Sequence, residues 1–118
     1  MRTAVAETFQ ALGDPVRTTI VDRLARSDAT VGDLAAMFAM SFQAVSQHIG
    51  VLERAGIVTR HREGRTRRVQ LEPVRIEEAL TWMESRRSRL EARYQRLDEV
   101  LTDLAGDTPP ATENRETS

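Results

Sequence analysis

The sequence predicts a mainly α fold with one small β-hairpin and a long C-terminal helix. Three observations predict it. Two short amphipathic helical patterns follow one another between Thr30 and Ala55, two β-type runs flank Gly64-Arg65 immediately afterwards, and an apolar heptad runs from Ile76 to Leu104.

Each element carries its own signal. Thr3 to Leu12 places Val5, Phe9 and Leu12 at helical spacing, and Gly13 ends that helix. Asp14-Pro15 opens the next, with Asp as the cap and Pro at the first helical position, where its missing amide costs nothing. Val16, Ile20, Val21 and Leu24 form its inward stripe, which fades at Arg26-Ser27-Asp28. Thr30, with Asp33 three residues on, predicts a cap for a helix of about two and a half turns carrying Val31, Leu34, Ala35 and Phe38. Ser41 caps a further helix with Val45, Ile49 and Leu52 inward, closed by Gly56. About three residues, Ala39-Met40-Ser41, then separate the two, the spacing of a helix-turn-helix. Ile57 to Glu63 and Thr66 to Leu71 read as strands joined at Gly64-Arg65. A hairpin in this place is a wing, so the fold class is a winged helix-turn-helix. Glu72-Pro73 breaks the chain before one long helix, Val74 to Leu104.

That last helix repeats Ile76, Met83, Leu90, Leu97 and Leu104 every seventh residue, with Leu80, Tyr94 and Leu101 between them and only Arg87 interrupting. A stripe sustained over about four heptads packs along another helix. With Val5 and Phe9 of the first helix it forms the expected homodimer interface. The expected domain is 1–104, dimerisation helices included. Residues 105–118, with two prolines and almost no apolar side chain, read as a disordered tail.

Composition narrows the function classes. The chain of 118 residues has no cysteine, which excludes disulfides, thiolate nucleophiles and thiolate metal sites. No apolar run approaches the roughly 18 residues of a membrane span, and Met1 to Ala11 lacks the apolar centre of a signal peptide, so the cytoplasm is the expected compartment. There is no nucleophile–base pair, paired-carboxylate cleft or Gly-rich phosphate loop, so an enzyme is not expected. The net charge is only −1, but it is segregated. Arg54 to Arg68 holds six arginines and one acid, whereas Val74 to Ser118 holds seven arginines and ten acids. A local basic patch, more than the sum, determines affinity for nucleic acid.

Two groups of residues carry the expected chemistry. The helix opened by Ser41 presents Phe42, Gln43, Ser46 and Gln47 at its N-terminal end, away from its apolar stripe, with His48 beside them. Recognition helices read base edges from their first turns. A glutamine amide pairs with adenine through one donor and one acceptor, and serine both donates and accepts. Phe42 either touches a thymine methyl or tucks into the core, and His48 either packs or contacts a phosphate. In the hairpin, Arg60, Arg62, Arg65, Arg67 and Arg68 lie within nine residues. Their planar donor forks suit phosphates, and a tip arginine such as Arg65 also fits a narrow minor groove. The bland reading, a charged hairpin that resists edge aggregation, needs fewer arginines than these; the alternative function, a winged helix used only as a protein-interaction module, is disfavoured by the arginine-rich wing and the uncharged helix face.

An ordered set of motifs resembles the ArsR/SmtB family of bacterial repressors. These are Leu12-Gly13-Asp14-Pro15-Val16-Arg17, Val31-Gly32-Asp33-Leu34-Ala35, Ala44-Val45-Ser46-Gln47-His48-Ile49-Gly50-Val51-Leu52, Ala55-Gly56-Ile57-Val58 and Arg62-Glu63-Gly64-Arg65. The resemblance spans about Phe9 to Pro73. It implies a dimeric repressor of double-stranded operator DNA, released by an inducer, with Phe42, Gln43, Ser46 and Gln47 at the DNA-reading positions and the terminal helices forming the dimer. Two departures stand out. The metal-sensing cysteines of many members are replaced by Thr30-Val31-Gly32-Asp33-Leu34, and the last helix has no histidine. The chain thus resembles the branch without metal sites, which leaves no expected metal or cofactor and an unknown organic inducer as the possible signal. Gly50 stands where a lysine is usual. Arg17 either contacts a phosphate or pairs with an acid inside the fold. Trp82, off the heptad seam, either packs on the winged domain or lines a small-molecule pocket at the dimer interface.

Overall fold

The structure, a computed structural model, describes residues 3–105. Two compact units divide the chain, Met1–Trp82 and Met83–Ser118. The first holds α1 (Ala4–Leu12), α2 (Pro15–Leu24), β1 (Ala29–Thr30), α3 (Val31–Ala35), α4 (Phe42–Arg54), β2 (Val58–Glu63) and β3 (Thr66–Leu71). A last helix, α5 (Pro73–Leu104), gives residues 73–82 to the first unit and 83–104 to the second.

Side-chain caps start the helices, at Asp14, Thr30 and Ser41 where the sequence places them and at Thr3, which the sequence reads as the first residue of its helix. Thr3 accepts the Ala6 amide. The Asp14 carboxylate accepts the amides of Val16 and Arg17 at 2.8 and 3.2 Å, and Ser41 Oγ accepts the Ala44 amide at 3.0 Å. Thr30 and Asp33 form a reciprocal capping box. Each satisfies amides that a first helical turn otherwise leaves unbonded. The core beneath these helices consists of apolar side chains from every element of the first unit, among them Ile20, Leu34, Val45, Ile49, Leu52, Ile57 and Val69. Withdrawing each from water stabilises the fold by about 1.5–3 kcal/mol.

Two expectations are corrected. The helix after Thr30 is one and a half turns long, Val31–Ala35, not two and a half, and six residues separate it from α4. The chain unwinds through tighter bonds, from Met37 to Leu34 and from Phe38 to Ala35. Phe38 and Met40 both pack on the core, and residues two apart lie on opposite sides of an α-helix. The helix must therefore end for both to reach inward. The sheet also has a third strand. Its order is β1-β3-β2, with Ala29 opposite Val69 and Thr30 opposite Arg68. Two residues offer no detectable alternation, and their partners lie about forty positions away. Gln70 strengthens this junction by donating to Asp28 at 2.9 Å.

In the second unit every residue from Met83 to Leu104 is exposed. Arg87, the interruption in the heptad, donates to Glu84 and Glu91, and these bonds to carboxylates raise its pKa further. The expected tail, 105–118, lies outside the described residues apart from Ala105, whose amide donates to Leu101. No helix among the described residues is long and apolar enough to cross a membrane.

Candidate nucleic-acid interface

The site begins with the burial pattern of α4. Val45, Ile49 and Leu52 are fully buried and fix the rotation of the helix. That rotation leaves Ser41, Phe42, Gln43 and Gln47 exposed and Ser46 and His48 half-buried. Phe42 is 59% exposed, so it is not a core residue. Gln43 and Gln47 make no hydrogen bond with another described residue and keep their amides available.

The wing divides its arginines by strand alternation. Residues directly opposite across a ladder share a face. Arg62 pairs with Arg67, and Arg60 with Val69, so these arginines lie on the face of Val58 and Val69. Arg68 pairs with His61 on the other face and bonds Glu63 at 3.1 Å. Arg60 bonds Glu53 and Ser46 of α4, each at 3.1 Å. Arg65 sits beside Gly64 at the tip, where a φ of +61° suits the two-residue turn. Arg62, Arg65 and Arg67 are exposed and pair with no acid among the described residues. Two arginines directly opposite one another destabilise a hairpin in water, and an approaching polyanion relieves that repulsion. A groove of 360 Å³ lies between the first turns of α4 and the wing, with Phe42, Ser46, Arg60, Arg65 and Arg67 in its walls.

The two residues left open by the sequence receive definite places. Arg17 donates to the carbonyls of Ala11 and Gln10, and its third contact is His48 Nδ1 at 3.1 Å. It ties the end of α1 to α4 from within the fold. No sequence signal marks this pair, since the two residues are 31 positions apart. Asp14 lies 3.9 Å from His48. Burial raises the Asp14 pKa, but amide bonds from Arg17 and Val16 and the charges of Arg17 and His48 outweigh it and hold the carboxyl below its ordinary range. Trp82 packs edge-on against Phe9, with ring centroids 5.7 Å apart and planes at 70°. Among the described residues no three His, Asp or Glu side chains gather as a metal site.

The proposed dimer residues fall into two sets. In the first unit Val5 is half-buried, Phe9 and Leu80 are exposed, and Ile76 packs partly on the core. In the second, Met83, Leu90, Tyr94, Leu97, Leu101 and Leu104 are 44–77% exposed, an apolar stripe left uncovered by the described residues of its unit.

Comparison with known proteins agrees with this geometry. The family model described as "Bacterial regulatory protein, arsR family" matches residues 14–60, from the cap of α2 to Arg60 of the wing. The chain is 33% identical over 75 residues to the transcriptional repressor SdpR of Bacillus subtilis, covering 64% of this chain and 83% of that one. It is 45% identical over 65 residues to the HTH-type transcriptional regulator Rv2034 of Mycobacterium tuberculosis, covering 55% and 61%. The crystal structure of the ArsR family transcriptional regulator RHA00566 superposes with a TM-score of 0.71 at 33% identity, over 75% of this chain and 91% of that one. The chain therefore belongs to the ArsR family and is a DNA-binding transcriptional regulator built as a winged helix-turn-helix.

Proposed function

We propose that this protein is a cytoplasmic homodimeric repressor that binds a palindromic operator, with Gln43, Gln47 and Phe42 reading bases and Arg62, Arg65 and Arg67 contacting the backbone. The observation that carries the reading is the pairing of an uncharged, hydrogen-bond-competent α4 face with three arginines that have no acid partner among the described residues. An amide side chain on this face discriminates bases through its paired donor and acceptor. The arginines supply the sequence-independent attraction. The second half of the reading is the dimer. Residues 1–104 carry both functions, and the stripe from Met83 to Leu104 meets its copy. A two-fold dimer then places two α4 helices on half-sites about one helical turn, roughly 34–36 Å, apart. Release follows from an organic ligand near Phe9 and Trp82 or from turnover of the protein, without a metal.

The test is a mobility-shift titration on the DNA upstream of its own gene at several salt concentrations, with sedimentation in parallel. Specific binding as a dimer, with affinity falling steeply as salt rises, is the expected result. A stable monomer at micromolar concentration, or equal affinity for upstream and random DNA, overturns it.

A further inference from the structure

Arg60 is the one wing arginine held against α4. Its Nε donates to Glu53 and its Nη1 to Ser46, each at 3.1 Å. These two residues are seven apart on α4, so they stand above one another on one face, two turns apart. Between them stands Gly50. A Cβ built there would meet Arg60 Nη2 at 3.5 Å and Arg54 Nη1 at 3.4 Å. The guanidinium thus lies across bare backbone, and Gly50, though on the outer helix surface, is buried. A methyl group fits that contact, but a longer side chain occupies the space the guanidinium needs. Arg60 itself is only 16% exposed along its side chain, far less than a residue reaching for a phosphate needs to be.

The same bond constrains Ser46. A hydroxyl has one donor and two acceptor lone pairs. Arg60 fills one lone pair, and the Ser46 hydroxyl donates to no described residue, although serine on a helix often bonds back to the carbonyl four residues earlier. Ser46 lines the groove between α4 and the wing. A cation on its oxygen polarises the O–H outward and disfavours a second donor beside it.

We infer that Arg60 is a positioning residue that clamps the wing root to α4 across Gly50 and holds Ser46 as a hydrogen-bond donor, so that the base facing Ser46 must present an acceptor. Guanine N7 or O6, adenine N7 and thymine O4 qualify in the major groove, and the cytosine amino group does not. This rests on α4 reading DNA, but the clamp itself can be measured without DNA.

The variants are R60Q, R60K, G50L and S46A in the full chain. Without DNA, R60Q and G50L are expected to speed amide hydrogen exchange in residues 58–71 while leaving the α2 and α4 core amides protected. Unchanged wing exchange in both overturns the clamp. With DNA, each base is placed at the operator position where S46A loses its preference. The wild type is expected to favour acceptor bases over cytosine by about fivefold, the scale of one net hydrogen bond. R60Q, R60K and G50L lose that preference, the S46A/R60Q double variant is no worse than either single one, and the salt slope stays at the wild-type value. A fall in slope of about one unit in R60Q, the mark of a lost phosphate contact, or a retained base preference in R60Q, overturns the inference. If the wild type binds no DNA, the reading of α4 fails, and the exchange data alone decide the clamp.

Discussion

Replacing Gly56 by alanine tests how the fold turns from α4 into the wing. Gly56 follows the end of α4 with a φ of +79°, in the left-handed region. A side chain in that region costs about 1–2 kcal/mol. The Cβ would also lie 3.2 and 3.3 Å from Nε and Cγ of Arg75, the residue of α5 that covers this turn. Arg75 is flexible and partly exposed, and its bonds to Glu78 can re-form after a small shift, so this contact adds little. The expected loss is therefore about 1–2 kcal/mol, a fall in Tm of roughly 4–16 °C for a domain of this size. Gly13 is the internal control. It also follows a helix, but its φ is −83° and an added Cβ meets only ordinary contacts at 3.4 and 3.5 Å. Gly13→Ala should be neutral or stabilise by up to about 1 kcal/mol through the unfolded chain. Urea unfolding followed by circular dichroism, at one protein concentration for all three proteins, measures both. If Gly56→Ala lies within about 0.5 kcal/mol of the wild type, or Gly13→Ala is equally destabilising, the backbone argument is wrong.

Three further outcomes are expected. Gln47→Ala should cost about 1–3 kcal/mol on the cognate site and relax sequence preference, whereas Arg65→Ala should weaken all DNA and lower the salt slope by about one unit. Equal losses of Gln47→Ala on cognate and random DNA would remove that residue from base reading. Leu97→Glu should convert the proposed dimer to monomer in sedimentation, since it sets a charge in the middle of the exposed stripe; a dimer of unchanged stability would move the interface elsewhere. Asp14 predicts a pH effect of definite sign. Its folded pKa is lowered, so its stabilisation is present above the ordinary carboxylate pKa and is lost as pH falls through the folded value. The stability gap between wild type and Asp14→Asn should be widest near neutrality and shrink in acid. A gap independent of pH from 7 to about 2.5 would refute the assignment.

The sequence alone determined the helices, their caps and the hairpin, because those signals are local. Asp14-Pro15, Thr30 with Asp33, and Ser41 each act within three residues, and the rotation of α4 follows from the spacing of Val45, Ile49 and Leu52. The outward position of Gln43 and Gln47 is a consequence of that same spacing. What depended on distant residues was illegible. The β1 strand exists only because Ala29 and Thr30 meet Val69 and Arg68. The early end of α3 comes from Phe38 and Met40 both reaching one core. Arg17 could be placed only once α1 and α4 were side by side, and the five wing arginines looked equivalent as a string. Only the tertiary structure separated Arg60 and Arg68, each held by an acid, from Arg62, Arg65 and Arg67. The physical reason is that arginine has a long side chain and five donors, so the partner it takes is set by which acid or hydroxyl the fold brings within reach.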